Sequence, residues 1–202
     1  MKEVPLDRAA DVLERGEILI YPTDTLYGLG VDITNPVALD RLFSLKNRDR
    51  QKPVSVLLGN PGQIETVAMP LSPTAEKLWK KYLPGPLTLV VPAHPSLDPR
   101  IHGGSAWVGI RYSSYPWLKI LMTQFGRPIT TTSANLSGEA GGQTVQQLWR
   151  DFKEEEGVYL LNGGDLPPSK GSTVVQVDGE NLQLLREGDI PFEKIKTCSK
   201  GL

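Results

Sequence analysis

Apolar residues recur along this chain in two rhythms, one helical and one of short alternating or continuous runs, and the two take turns from end to end. Leu6, Ala9, Ala10 and Leu13 share a helical face, and Gly16 offers a left-handed stop, which predicts a helix over residues 5–15. The run from Glu17 through Ile18, Leu19 and Ile20 to Tyr21 reads as a strand closed by Pro22, with residues 23–30 as the loop behind it. Asn35 before Pro36 is a helix start, so residues 36–45 form a second helix with Val37, Leu39, Leu42, Phe43 and Leu45 to bury.

The same alternation continues to the C-terminal side. Residues 54–58 read as a strand, Ser72 caps a helix carrying Leu78, Trp79 and Tyr82, and Pro84-Gly85-Pro86 ends it. Strands follow at 87–91 and 107–111, then a helix at 116–125 with Trp117, Leu118, Leu121 and Phe125 turned inward. A strand at 128–132 leads into a glycine-rich loop through Gly142, and Thr144 with Gln147 fits a capping box for a helix running to about residue 155. Residues 159–161, 173–177 and 182–186 supply late strands, the last two joined by a hairpin turn over 178–181. Helices and strands mixed along the whole length, with no linker and no repeat, predict a single-domain α/β fold: a twisted mixed sheet with helices packed on it.

Composition narrows the function classes. A chain of 202 residues and 22.2 kDa with 39% hydrophobic residues can bury a substantial core. Charged residues make up 22%, the net charge is −1 and the pI is near 6.2, which argues against a broad basic surface for non-specific nucleic-acid binding and leaves room for a local basic pocket. The single Cys198 excludes an internal disulfide framework and a multi-cysteine zinc site. The opening residues lack the apolar core of a signal peptide, and no apolar run reaches membrane-spanning length, so the expectation is a cytoplasmic protein without a membrane partner.

Against that near-neutral background, Lys46, Arg48, Arg50 and Lys52 crowd one short segment at the predicted end of the second helix. Cations there complement a helix dipole and could simply be solvated. Equally, an arginine fork beside movable lysine charges suits the oxygens of a triphosphate. The stretch from Tyr21 to Gly30 places two threonines and an aspartate at a strand end, where ligands bind in α/β sheets, although a turn satisfied by Thr23 and Asp24 is an equal reading. Thr130 to Asn135 carries hydroxyls and an amide at a second strand end; it reads either as neutral hydrogen bonding to a phosphate, ribose or base, or as a threonine-rich edge strand. Ser133 is not read as a hydrolytic nucleophile, because His94 and His102 fit no triad pattern. Arg111 and Arg186 each end a strand, and Ser172 opens one. His94, His102 and Cys198 are too few and too scattered for a metal site.

Together these pieces resemble the YrdC-like family, of the type that makes threonylcarbamoyl-adenylate. The resemblance rests on Tyr-Pro-Thr-Asp-Thr-Leu-Tyr-Gly-Leu-Gly from Tyr21, Lys-Asn-Arg from Lys46, Thr-Ser-Ala-Asn-Leu-Ser-Gly from Thr132, Ser-Thr-Val-Val from Ser172 and Leu-Arg-Glu-Gly from Leu185. Pro-Gly-Pro-Leu-Thr from Pro84 is a more structural match, and the whole spans about residues 5–190. It implies one domain with a concave, basic cavity that joins L-threonine, bicarbonate and ATP into threonylcarbamoyl-AMP and pyrophosphate. It further implies that this product feeds modification of the tRNA adenosine beside the anticodon, through downstream tRNA threonylcarbamoyl-transferase proteins. By the same resemblance Thr25, Arg111, Thr131 and Ser172 hold threonine. Lys46, Arg48, Lys52, Ser133, Asn135 and Arg186 bind ATP, and Mg2+ accompanies the nucleotide, with no protein metal site and no covalent intermediate.

This chain departs from the family pattern at four places. Asp49 stands where relatives carry proline, Lys52 where they often carry asparagine, Leu57 where some carry histidine, and Tyr115 where a histidine ends the pattern that follows Arg111. Two other functions fit part of the pattern. One is a YrdC-like module that binds RNA (tRNA, rRNA or another double-stranded RNA), as in ribosome assembly, without making an adenylate. The other is a carbamoyl-transfer domain like that of hydrogenase maturation proteins, whose cysteine-bearing companion domains this chain lacks. Arg50 falls outside the matched positions and is expected to be solvated.

Overall fold

The structure is a computed structural model, described for residues 1–135 and 142–200. In chain order it runs β1 (Lys2–Glu3), α1 (Ala9–Glu14), β2 (Ile18–Tyr21), β3 (Gly28–Gly30), α2 (Pro36–Leu45), β4 (Ser55–Leu57), α3 (Pro73–Tyr82) and β5 (Leu87–Pro92). Then follow α4 (Pro99–His102), β6 (Trp107–Arg111), α5 (Pro116–Phe125), β7 (Ile129–Ser133), α6 (Val145–Phe152), β8 (Val158–Leu160), β9 (Thr173–Asp178), β10 (Asn181–Arg186) and α7 (Phe192–Lys200). The ten strands form one mixed sheet in the order β1-β8-β2-β3-β7-β4-β6-β5-β9-β10. Both faces carry apolar clusters, as expected where helices cover a sheet on two sides.

Strand alternation divides the side chains between the faces. On β2, Ile18 and Ile20 join the larger cluster with α2, α3 and α6, whereas Leu19 and Tyr21 join the smaller one with α1 and α5. Farther across the sheet, Val56, Leu87, Leu89, Val108, Ile110 and Val175 also turn to the larger cluster. Their alternating neighbours Ser55, Thr88, Arg111 and Val174 turn the other way, onto the face that α1 and α5 cover only in part. Cross-strand pairing carries that face along: Ser55 pairs with Thr131, Leu57 with Arg111, Thr88 with Val174, and Val174 with Arg186.

Several predicted elements change on folding. Residues 28–30 are not loop but β3, antiparallel to β2 and β7. Three residues flanked by glycine give almost no strand signal, and the pairing is set by packing: a Cβ on Gly28 or Gly30 would come within 2.9 or 2.7 Å of the Tyr21 ring. β7 lies between β3 and β4, so its threonines are not at an edge. α6 stops at Phe152, short of residue 155. The short β1, the four-residue α4 and the C-terminal α7 were not expected from the pattern, and α7 buries Ile195 in the larger cluster. Residues 136–141 of the glycine-rich loop lie outside the described residues.

Candidate functional site

The uncovered part of that sheet face forms the floor of a cavity of about 730 Å3, counting its open mouth. Thr25, Arg48, Arg111, Thr131, Ser133, Ser172 and Arg186 line it. A smaller adjoining hollow is lined by Lys46, Arg48, Lys52, Ser133 and Asn135, so Arg48 and Ser133 belong to both. All ten residues singled out from the sequence therefore converge from α2, β3, β4, β6, β7, β9 and β10 and their loops. Gly109 keeps the floor open, since a Cβ there would lie 2.6 Å from Ser55 Oγ and 3.2 Å from Thr88 Cγ2.

Each cation is positioned by a local device. Asn35 caps α2, its Oδ1 accepting from the amides of Val37 and Ala38, and the helix ends at Lys46. Lys46, only 4% exposed, donates from Nζ to the Ser133 carbonyl at 2.6 Å and to Asn135 Oδ1 at 3.2 Å. Burial, helped by the charge of Arg48, pulls its pKa from 10.5 down to about 8. The neighbouring Asn47 takes a positive φ of 44°, which turns the chain out of the helix. Arg48 then folds back, donating from Nε to the Lys52 carbonyl and from Nη2 to the Pro53 carbonyl, at 3.3 and 2.7 Å.

Across the cavity, Arg186 donates from Nη2 to the carbonyl and hydroxyl of Ser172, at 2.8 and 3.2 Å. Ser172 Oγ also meets Thr88 Oγ1 at 2.8 Å. Burial lowers the pKa of both Arg48 and Arg186, and the charge of Arg111 adds to the effect on Arg186. Both remain cationic; Arg48 is half-buried and Arg186 lies at the exposed rim of the cavity, so each keeps a full charge for an anion there. Arg111 differs from them. Its Nη2 donates to Asp24 Oδ1 at 2.8 Å and to Thr25 Oγ1 at 3.2 Å, and Ser113 Oγ donates to the same Asp24 oxygen.

Three further residues contribute. Asp24 lies in the motif from Tyr21, where a ligand position and a turn were equal readings; Thr88 closes the Pro-Gly-Pro-Leu-Thr match; Ser113 follows Arg111 by two residues, just past the end of β6. Those spacings were the available signal. Of the four departures, Leu57 is buried in the smaller apolar cluster with α5, outside the cavity lining, and Tyr115 packs edge-on to Trp117. Lys52 and Asp49 border the smaller hollow. Arg50 is solvated, its side chain 64% exposed in a surface ion pair with Asp40 at 3.1 Å, and it lines neither hollow. Among the described residues no group of three or more His, Cys, Asp and Glu side chains could hold a metal ion. None of the described helices is long and apolar enough to cross a membrane.

A family model for Sua5, YciO and YrdC, described as telomere recombination, matches residues 11–188. A threonylcarbamoyl-AMP synthase of Vibrio vulnificus is 31% identical over 185 residues, 91% of this chain and 98% of its own length. One from Bacillus subtilis is 32% identical over 94% of this chain, which spans only 55% of that longer protein. Among solved structures, P. abyssi Sua5 complexed with L-threonine superposes with a TM-score of 0.90 at 29% identity, covering 98% of this chain and 60% of its own.

Proposed function

Because the chain belongs to the Sua5, YciO and YrdC family, we propose that it is a threonylcarbamoyl-AMP synthase, joining L-threonine, bicarbonate and ATP into threonylcarbamoyl-adenylate with release of pyrophosphate. The observation that carries this reading is the convergence of Lys46, Arg48, Arg111 and Arg186 with the hydroxyls of Thr25, Thr131, Ser133 and Ser172 on one cavity and its adjoining hollow. Relatives of that name, and a similar fold solved with L-threonine, support it.

In this reading the α-carboxylate of threonine takes the remaining donors of Arg111, and the hydroxyls of Thr25, Thr131 and Ser172 surround the amino acid. Lys46, Arg48, Lys52 and Arg186 take the triphosphate oxygens, with Ser133 and Asn135 as neutral partners. The threonine ammonium gives up a proton, and the free amine adds to carbon dioxide formed from bicarbonate by loss of hydroxide; the N–C bond forms with loss of a second proton, and the hydroxide and one of the two protons leave as water. A carbamate oxygen then bonds to the α-phosphorus as the bridging oxygen to pyrophosphate leaves. Holding both reactants in line and spreading the departing charge over four cations is the chain's contribution, and no side-chain nucleophile is needed.

Mg2+ enters as a companion of ATP. The cations that line the cavity fit the phosphates of such a complex, and an ion held by other phosphate oxygens and water would supply further charge neutralisation on the pyrophosphate. The adenylate would pass to the enzymes that modify the tRNA adenosine beside the anticodon. Pyrophosphate release measured with each substrate omitted in turn tests the proposal. It should require threonine, bicarbonate and ATP together; release that is indifferent to threonine would overturn it.

A further inference from the structure

The cations of this cavity are not electrically alike. Arg48 and Arg186 donate to carbonyl and hydroxyl oxygens, and among the described residues no carboxylate pairs with either. Arg111 is already paired: Asp24 lies 2.8 Å away, and both side chains are 9% exposed. Asp24 is itself held by the Ser113 hydroxyl and by its own amide, which donates to Ser113 Oγ at 3.3 Å. Each member of the pair keeps one buried group without a partner, Nε of Arg111 and Oδ2 of Asp24. One is a donor beside a positive charge, the other an acceptor beside a negative one.

We propose that Asp24 is a specificity-determining residue, which neutralises Arg111 in advance so that this lobe accepts a zwitterion and refuses a plain anion. The proposal rests on the synthase reading for the identity of the two ligands. A zwitterionic amino acid brings a charge for each member of the pair, a carboxylate for the Arg111 guanidinium that lines the cavity and an ammonium attracted by the Asp24 charge paired with it. A triphosphate, or a carboxylate lacking the ammonium, brings only negative charge and meets Asp24 in a poorly solvated site, where like charges repel strongly. The same carboxylate therefore weakens the pull of Arg111 on ATP: without it, Arg111 would add its full charge to those of Arg48 and Arg186, which line the same cavity. Sequence motifs place Asp24 between two threonines but give no reason for its charge, whereas the pairing geometry does.

Calorimetric titration tests this on the full chain, comparing wild type with Asp24→Asn, which keeps an oxygen for Arg111 and Ser113 and loses the charge. The probes are L-threonine, its 2-hydroxy counterpart 2,3-dihydroxybutyrate, in which a hydroxyl replaces the ammonium, and inorganic triphosphate. Wild type should bind threonine more tightly than dihydroxybutyrate by about tenfold or more. In Asp24→Asn that preference should shrink by a similar factor, and triphosphate should begin to compete with threonine. A folded variant with a preference and competition like wild type overturns the proposal. So does wild type that binds the two organic acids equally, a result that needs no variant to fold. Failure of the synthase reading looks different: wild type then binds no threonine, and the filter stands or falls on whether Asp24→Asn gains affinity for triphosphate.

Discussion

Burial costs the Lys46 ammonium part of its hydration and brings its pKa to about 8, so two quantities respond to pH in opposite directions. Between about 8 and 10.5 the unfolded chain holds this proton while the native state has released it, so stability contributed by Lys46 rises with pH across that window. Below about 8 both states are protonated and the penalty is present in full. If, as proposed, triphosphate binding uses the ammonium, ATP affinity should fall as pH rises through about 8, as titration calorimetry across that range would record. Lys46→Gln should remove that pH dependence; its persistence would mean that another group titrates. Arg48→Ala should weaken ATP binding by about 10- to 100-fold, the worth of a lost charge-assisted contact, while the circular-dichroism spectrum stays native. Unchanged ATP affinity would contradict a phosphate-binding role for Arg48.

Helix α2 owes its start to Asn35, whose side chain accepts from two backbone amides, and its end delivers Lys46 to the cavity. Asn35→Ala should cost about 1 kcal/mol, seen as a lower midpoint in urea. A larger effect is expected at the β2–β3 contact. Gly30→Ala would bring a Cβ to 2.7 Å from the Tyr21 ring and 2.8 Å from the Thr130 carbonyl, and should destabilise by about 1–3 kcal/mol in the same assay. These two elements also mark how far the sequence could be read. α2 was legible because its cap, proline and apolar stripe are all local. β3 was not, because nothing within residues 28–30 says strand; its partners are 7 or more residues away on β2 and about 100 away on β7. The site divides in the same way. Lys46, Arg48 and Ser133 announced themselves as a charge cluster and a hydroxyl-rich strand end, whereas the meaning of Asp24 depends on Arg111 and Ser113, which the fold brings in from β6 and the residues after it.

The sheet as a whole explains why one cavity can serve two reactants of opposite demand. Its apolar alternation is spent on the larger cluster, and the other half of each strand from β7 across to β10 is free to present Thr131, Ser55, Arg111, Thr88 and Arg186 on a single floor. In the proposed reading the phosphate-binding cations approach that floor from two directions, Lys46, Arg48 and Lys52 from the chain after α2 and Arg186 from β10, with the Arg111 pair on β6 between them in the sheet order. The most direct measurement of this account supplies the protein with ATP, Mg2+, L-threonine and carbon-labelled bicarbonate, and isolates the nucleotide product. The account predicts a labelled threonylcarbamoyl-adenylate formed in step with pyrophosphate and absent without threonine. No labelled adenylate, under conditions where the Bacillus subtilis relative makes it, would contradict the account.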